Sequence, residues 1–190
     1  MEGMARLMEE IAAQIRVCQL CPLHKGRTHA VPGEGPVNAQ VAFIGEAPGG
    51  EEDRQGRPFV GRSGQLLRKT IVDVGWREEE VFIGNVLKCR PEGNRDPQEH
   101  EIAACSHYLE AQLALINPRL IVTLGRFSLN LLIDPSLKIT KVRGQHIKKF
   151  GKLYLPTFHP SAILRNMNLL VDFRRDLAKA KKLCEKDPGV

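Results

Sequence analysis

The chain is poor in aromatic side chains: one Trp, two Tyr and seven Phe make up 5% of its 190 residues. That argues against a surface of stacked bases like those of single-strand coating proteins, which rest successive bases on aromatic rings. No apolar run approaches the roughly 20 residues that span a bilayer. The opening MEGMARLMEEIAAQIRVC reads as a charged amphipathic helix rather than a secretory h-region. The expected compartment is the cytoplasm, with no membrane partner, where structural disulfides are rare. Internal repeats, low-complexity tracts and domain-splitting linkers are also lacking, so residues 1–190 read as a single domain large enough to bury a core. The glycine-rich turn after the first apolar strand meets neither the dinucleotide nor the P-loop fingerprint. H-E-x-x-H, EF-hand and G-x-S-x-G motifs are missing too.

Cysteine is scarce but patterned. Cys18 and Cys21 form a C-x-x-C near the start, inside the region 1–25, and Cys89 and Cys105 follow some way on. Thiolates gathered from distant segments can hold a metal ion or cluster that ties the first helix to the core. Buried small hydrophobes or two disulfides are the plainer alternatives, and Cys184 has no evident partner. A net charge of +6 suggests a polyanionic partner engaged locally.

Periodicity predicts strands at Val41–Glu46, Val81–Leu87 and Leu120–Leu124, then a basic hairpin from Ile139 to Phe158 that leads into a last strand, LYLPTF. Helices are predicted over Ser63–Val74, from Pro97 through Leu115 with Pro97 in the first turn, and over a basic segment at about 171–184. Strands alternating with helices imply an α/β fold around a mostly parallel sheet, covered on both faces. Function in such sheets collects at the carboxyl ends of the strands.

Those ends carry Gly45-Glu46-Ala47-Pro48-Gly49, then Asn85 with Lys88 and Cys89, then His159-Pro160-Ser161. Singly, Asn85 reads as a turn residue, Glu46 as a solvated carboxylate and His159 as a satisfied histidine. Together, each beside Gly or Pro, they point to a site.

GEAPG (Gly45–Gly49), GRPFVGRSG (Gly56–Gly64), NVLKCRP (Asn85–Pro91) and HPSAILR (His159–Arg165) occur in order. With the four cysteines, this set resembles the family 4, iron–sulfur uracil-DNA glycosylases. The match runs from Cys18 to Arg165. The resemblance implies a four-stranded parallel sheet in a three-layer α/β/α sandwich and a [4Fe–4S] cluster on Cys18, Cys21, Cys89 and Cys105. It also implies base excision repair of uracil-containing DNA, single- or double-stranded, by a monofunctional enzyme without lyase activity. A monomer in a prokaryotic, nucleoid-associated setting goes with it. A sliding clamp or another repair protein is left open as a further partner.

The same resemblance gives the residues roles. A buried uracil must be flipped into a pocket. There Phe59 would stack on the ring, though core packing explains a Phe equally well. Asn85 would read the Watson–Crick edge, which cytosine presents reversed. His159 would donate to O2 as negative charge builds, helped by backbone N–H groups of the Gly45-Glu46-Ala47 turn. Glu46 would position the water, because Ala47 stands where the best-known branch of the superfamily has an acid. Glu52 would crowd the uracil C5 position, where Gly49 replaces an aromatic; the alternative is a solvated helix start at Glu51-Glu52-Asp53. Ser63, Gly64 and Ser161 would hold phosphates, and Ile163, Leu164 and Arg165 would form a wedge in the duplex. Arg143, Lys148, Lys149, Arg174 and Arg175 are weaker candidates for DNA contact.

Two rivals stand beside this reading. One is a catalytically silent DNA-binding module with a structural Zn²⁺ on the four cysteines. The other is a covalent uracil-trapping variant of the same superfamily, which would need a basic, His-containing insertion after Asn85. Here Arg90–Arg95 runs straight on to Pro97.

Overall fold

Helix α1 (Glu2–Val17) carries Glu2 in its first turn and Arg16 in its last, charges that suit the helix dipole, and buries Ala12 and Ile15. The computed structural model describes residues 1–186, so the last four residues of the expected domain lie outside the described residues. Strand β1 (Val41–Gly45) is buried throughout. It feeds helix α2 (Gly50–Gln55) and then α3 (Arg62–Asp73). After β2 (Phe82–Asn85) comes the long helix α4 (Glu99–Ile116), then β3 (Leu120–Leu124), α5 (Arg126–Leu132) and α6 (Ile139–Val142). Strands β4 (Ile147–Lys149) and β5 (Lys152–Thr157) form a hairpin, and α7 (Pro160–Arg165) and α8 (Leu170–Glu185) complete the order.

The sheet order is β2-β1-β3-β5-β4. The first four strands are mutually parallel and β4 pairs antiparallel with β5. The expected α/β sandwich and its four parallel strands are present, and the basic hairpin adds a short fifth strand at the edge. Alternation explains why both faces are apolar. Val41 and Phe43 of β1 pack with Ile83, Val122, Leu155, Leu67, Phe173 and Leu177 on one side. Ala42 and Ile44 pack with Phe82, Ile121, Leu109, Leu113 and Leu129 on the other. A third cluster joins Ile15 and Leu23 to Leu87, Cys89, Cys105 and Tyr108, seating α1 on α4. Among the described residues no helix is long and apolar enough to cross a membrane.

Three local expectations need correction. Residues Ile139–Val142 form helix α6, so the hairpin of the basic segment begins only at Ile147. Pro97 lies outside α4: Gln98 is the N-cap, and its backbone N donates to Glu101 Oε2 at 3.3 Å. HPSAILR does not leave a loop exposed. Pro160 at the first helical position and the His159 cap start α7 at once, which turns Ile163 into the core, where it is 0% exposed. Ile163 therefore packs with Phe59, Leu67 and Phe173 and is not presented as a wedge; Leu164 is half-buried and Arg165 exposed.

Candidate active site

One open pocket sits at the carboxyl ends of the parallel strands, lined by Glu46, Ala47, Gly49, Glu52, Phe59, Ser63, Asn85, Asp96, His159, Ser161 and Arg165 among others. Segments as far apart as 46 and 165 meet there because β1, β2 and β5 end on the same side.

Asn85 ends β2 and is 2% exposed, and its Oδ1 has no hydrogen-bond partner in the protein. A buried carbonyl left unpaired costs about 1–3 kcal/mol, so this acceptor is held ready for a donor from outside. Gly45, its register partner on β1, makes room for it. A Cβ on Gly45 would stand 2.6 Å from that oxygen and 2.5 Å from Phe59 Cζ.

Phe59 is buried and holds a left-handed backbone, φ +49°, which is uncommon outside glycine. Its ring lies 5.7 Å from that of His159, tilted by 31°. Gly64 is buried in the first turn of α3, and a Cβ there would collide with the Phe59 backbone. Gly64 thus serves close packing rather than offering an exposed phosphate seat, while Ser63 stays half-buried at the pocket wall.

His159 Nδ1 faces two groups of Ser161, accepting from its backbone N at 3.1 Å and lying 2.8 Å from its Oγ. An acceptor at Nδ1 puts the proton of the neutral ring on Nε2. Burial, and secondarily the Arg165 charge, press the His159 pKa down to about 4, so the ring is neutral near pH 7. Glu46 shifts the opposite way. Burial raises its pKa to about 7, Asp96 adds to the rise, and Arg126 and Arg165 oppose it. Asp96 is itself ion-paired with Arg126 at the mouth of the pocket.

Glu52 is buried, not solvated: its Oε1 accepts from the backbone N of Val60 and Gly61, both at 3.0 Å. Its Oε2 would lie 2.9 Å from a Cβ on Gly49, so the carboxylate occupies the space that a side chain at position 49 would need. Asp53 is buried as well, accepting from Thr28 N at 2.8 Å.

Sequence reasoning missed Asp96 and Arg126. They belong to a loop without periodicity and to the first position of α5, just after Gly125 (φ +84°), which lets His159 approach. Of the weaker basic candidates, Arg143 is committed to Asp176, with Nε to Oδ2 at 2.9 Å. Lys149 donates to Ile133 O and lies 3.8 Å from Asp134. Lys148, Arg174 and Arg175 are exposed, the last pairing with Asp172 at 3.3 Å.

Cys18, Cys21, Cys89 and Cys105 border one small cavity with Ile15, Leu23, Leu87 and Tyr108. All four are free thiols, and Cys184 lies elsewhere. Among the described residues, no three His, Cys, Asp or Glu side chains are grouped as ligands for a single metal ion. Four thiols around one shared, mostly apolar cavity form a donor set that suits a thiolate-held metal centre. The surroundings suit an anionic group: Arg27 Nη1 lies 3.2 Å from Cys89 Sγ, and Lys88 N lies 3.4 Å from Cys105 Sγ. The wholly buried Lys88 ammonium meets Pro32 O and Gln112 Oε1, both neutral.

A family model described as the uracil DNA glycosylase superfamily matches residues 32–182. A type-4 uracil-DNA glycosylase of Thermotoga maritima is 47% identical over 95% of this chain and 96% of its own. One of Archaeoglobus fulgidus is 41% identical over 94% of each chain. A type-5 uracil-DNA glycosylase of Pyrobaculum aerophilum is more distant, 29% identical over 74% of this chain and 69% of its own.

Proposed function

The chain belongs to the uracil DNA glycosylase superfamily and excises uracil from DNA by hydrolysing the N-glycosyl bond, and from that premise we propose how its pocket does so. A uracil flipped out of the helix enters between Phe59 and the strand ends. Phe59 stacks on the ring. Asn85 Oδ1 accepts from N3–H and its Nδ2 donates to O4. Cytosine presents the opposite pattern and would leave buried groups unpaired, which is how a hydrogen-bonding site rejects an analogue. The unpartnered Oδ1 of Asn85 is the observation that carries this reading.

As the bond breaks, uracil becomes anionic and the sugar gains oxocarbenium character. A neutral His159 donates from Nε2 to uracil O2, a preorganised donor aimed at developing charge. Its lowered pKa supports donation from the neutral ring. Glu46, when ionised, orients the attacking water and stabilises the cationic sugar. Backbone N–H groups of the Gly45-Glu46-Ala47 turn assist at the pocket floor. Glu52 stands beside Gly49 and crowds the C5 position, which excludes thymine. The products are free uracil and an abasic site, without lyase cleavage.

Cys18, Cys21, Cys89 and Cys105 are the residues that would hold a [4Fe–4S] cluster. Such a group supplies a one-electron centre and a cross-link between α1, the Cys89 loop and α4. The steps of hydrolysis are carried by the pocket's side chains, its backbone N–H groups and water. Ser161, Ser63 and the exposed Arg165 are the proposed backbone contacts to DNA, and a monomer in a prokaryotic cytoplasm is the proposed working unit. The zinc-module reading is not favoured, since it leaves the pocket without a purpose. The loop of residues 90–96 contains no histidine for a covalent trap.

The decisive test is a uracil-containing oligonucleotide assayed for alkali-labile sites with the wild type and Asn85→Asp. Wild type should leave alkali-labile sites at uracil. Asn85→Asp should lose uracil release by at least about a hundredfold and release cytosine above background. Unchanged uracil release by that variant refutes the edge-reading role.

A further inference from the structure

Two pieces of the chain that the pocket does not use are tied together behind it. The segment Pro32-Gly33-Glu34-Gly35 lies along the free edge of β2. Glu34 N donates to Ile83 O at 2.9 Å and Ile83 N donates to Glu34 O at 2.8 Å. Its glycines make the approach possible. Gly33 has φ +106°, and a Cβ there would stand 2.9 Å from Phe82 Cζ; Gly35 has φ +137°, and a Cβ there would stand 2.6 Å from Phe82 Cα. Glu34 is thereby fixed two residues upstream of Asn85 in the register of β2.

The Glu34 carboxylate receives two guanidiniums. Arg57 binds it with Nε at 3.1 Å and Nη2 at 3.0 Å, and Arg68 Nη2 binds it at 2.6 Å. The Arg68 side chain is only 13% exposed, and two of its remaining bonds run to the turn that carries Phe59. Nε donates to Phe59 O at 2.8 Å and Nη2 to Pro58 O at 2.7 Å, while Nη1 pairs with Glu78 at 3.0 Å. The two consecutive carbonyls it grips flank the one buried non-glycine residue that the pocket holds at positive φ. A strained backbone persists only where its surroundings over-determine it, and here Gly64 from below and Arg68 from the side supply that restraint.

We propose that Arg68 is a positioning residue for uracil recognition: through Glu34 it locks the Phe59 wall to the strand that presents Asn85, so that stacking and edge-reading groups share one frame. This rests on the reading of Phe59 as the wall against which uracil stacks. Arg68 touches no substrate itself. Its planar fork suits two carbonyls and a carboxylate at once, which a lysine cannot reproduce.

The test compares wild type, Arg68→Met, Phe59→Ala and the double variant for product inhibition by free uracil and for kcat/KM on a uracil oligonucleotide. Arg68→Met should raise the inhibition constant for uracil about tenfold. The double variant should match Phe59→Ala within about twofold, because both changes remove the same contact. A wild-type inhibition constant in Arg68→Met, or effects that multiply in the double variant, overturns the proposal. If Phe59→Ala itself binds uracil like the wild type, the stacking reading fails instead, and the two failures are separable. Glu34→Gln leaves Arg68 its carbonyl partners while weakening the tether to β2. It should raise the inhibition constant about threefold, and it carries the test if Arg68→Met does not fold; a wild-type constant there overturns the shared frame.

Discussion

Gly45 and Asn85 are register partners at the ends of β1 and β2, and the Asn85 Oδ1 fills space that any side chain at position 45 would claim. The glycine is needed for room and not for a left-handed backbone. Gly45→Ala should leave the sheet folded while displacing Asn85 or Phe59 by a fraction of an ångström to an ångström. Misplacement of that size costs about a hundredfold in rate. Steady-state uracil release together with circular dichroism would check it, and full activity in Gly45→Ala would show that the pocket floor is not read so closely.

The pH profile should have one acid limb. His159 stays neutral down to about 4 and Glu46 loses its proton near 7, so activity should rise through about pH 7 as Glu46 ionises. Glu46→Gln should flatten that limb and lower kcat at pH 8 by roughly a hundredfold. Stability should move the other way. The raised Glu46 pKa means that the folded state binds this proton more tightly than the unfolded chain does, so the contribution is full below about 4.5 and fades as pH rises towards 7. Glu46→Gln should therefore unfold at higher temperature than the wild type at pH 8. For His159 the sign reverses: its contribution is present above 6.5 and fades as pH falls towards 4.

Cys105→Ser and Cys184→Ser should separate sharply. The first borders the shared cavity and the second does not. Iron and acid-labile sulfide assays should find both elements in the wild type and in Cys184→Ser, and little of either in Cys105→Ser. Melting of Cys105→Ser should fall by roughly 10 °C, the shift that a loss of about 4 kcal/mol gives in a chain of this size. A colourless wild type containing zinc would sink the cluster.

Arg165 and Ile163, neighbours in one motif, should fail differently. Ile163→Ala should cost about 2–5 kcal/mol of folding stability as a core truncation, with DNA affinity of the folded fraction unchanged. Arg165→Ala should leave melting intact and reduce the salt slope of DNA binding by about 1. Denaturant melts and binding titrated against salt would tell them apart.

The strands were legible because their residues are apolar on both faces and end in glycine or a polar residue; Leu120–Leu124 was predicted to the residue. Asn85 and His159 were legible as polar residues at such ends. Ile163 was misplaced because the tripeptide His159-Pro160-Ser161 looks like a loop until the histidine ring caps the following turn. The resemblance singles out Glu52 from its two acidic neighbours, but its burial was not legible, since nothing local announces that Val60 and Gly61 will turn their N–H groups towards it. Arg68 was invisible for the same reason. Its partners lie 9, 10 and 34 residues away, and only folding assembles them.

The sheet has two outer strands, and neither offers a long bare ladder. Glu34 lies across β2, and β4 is three residues long with Lys148 pointing outward. Exposed edges invite pairing with other chains, and short strands, lysines and covering loops discourage it. Concentrating this basic protein along a polyanion would then crowd many copies side by side without giving them a strand to share.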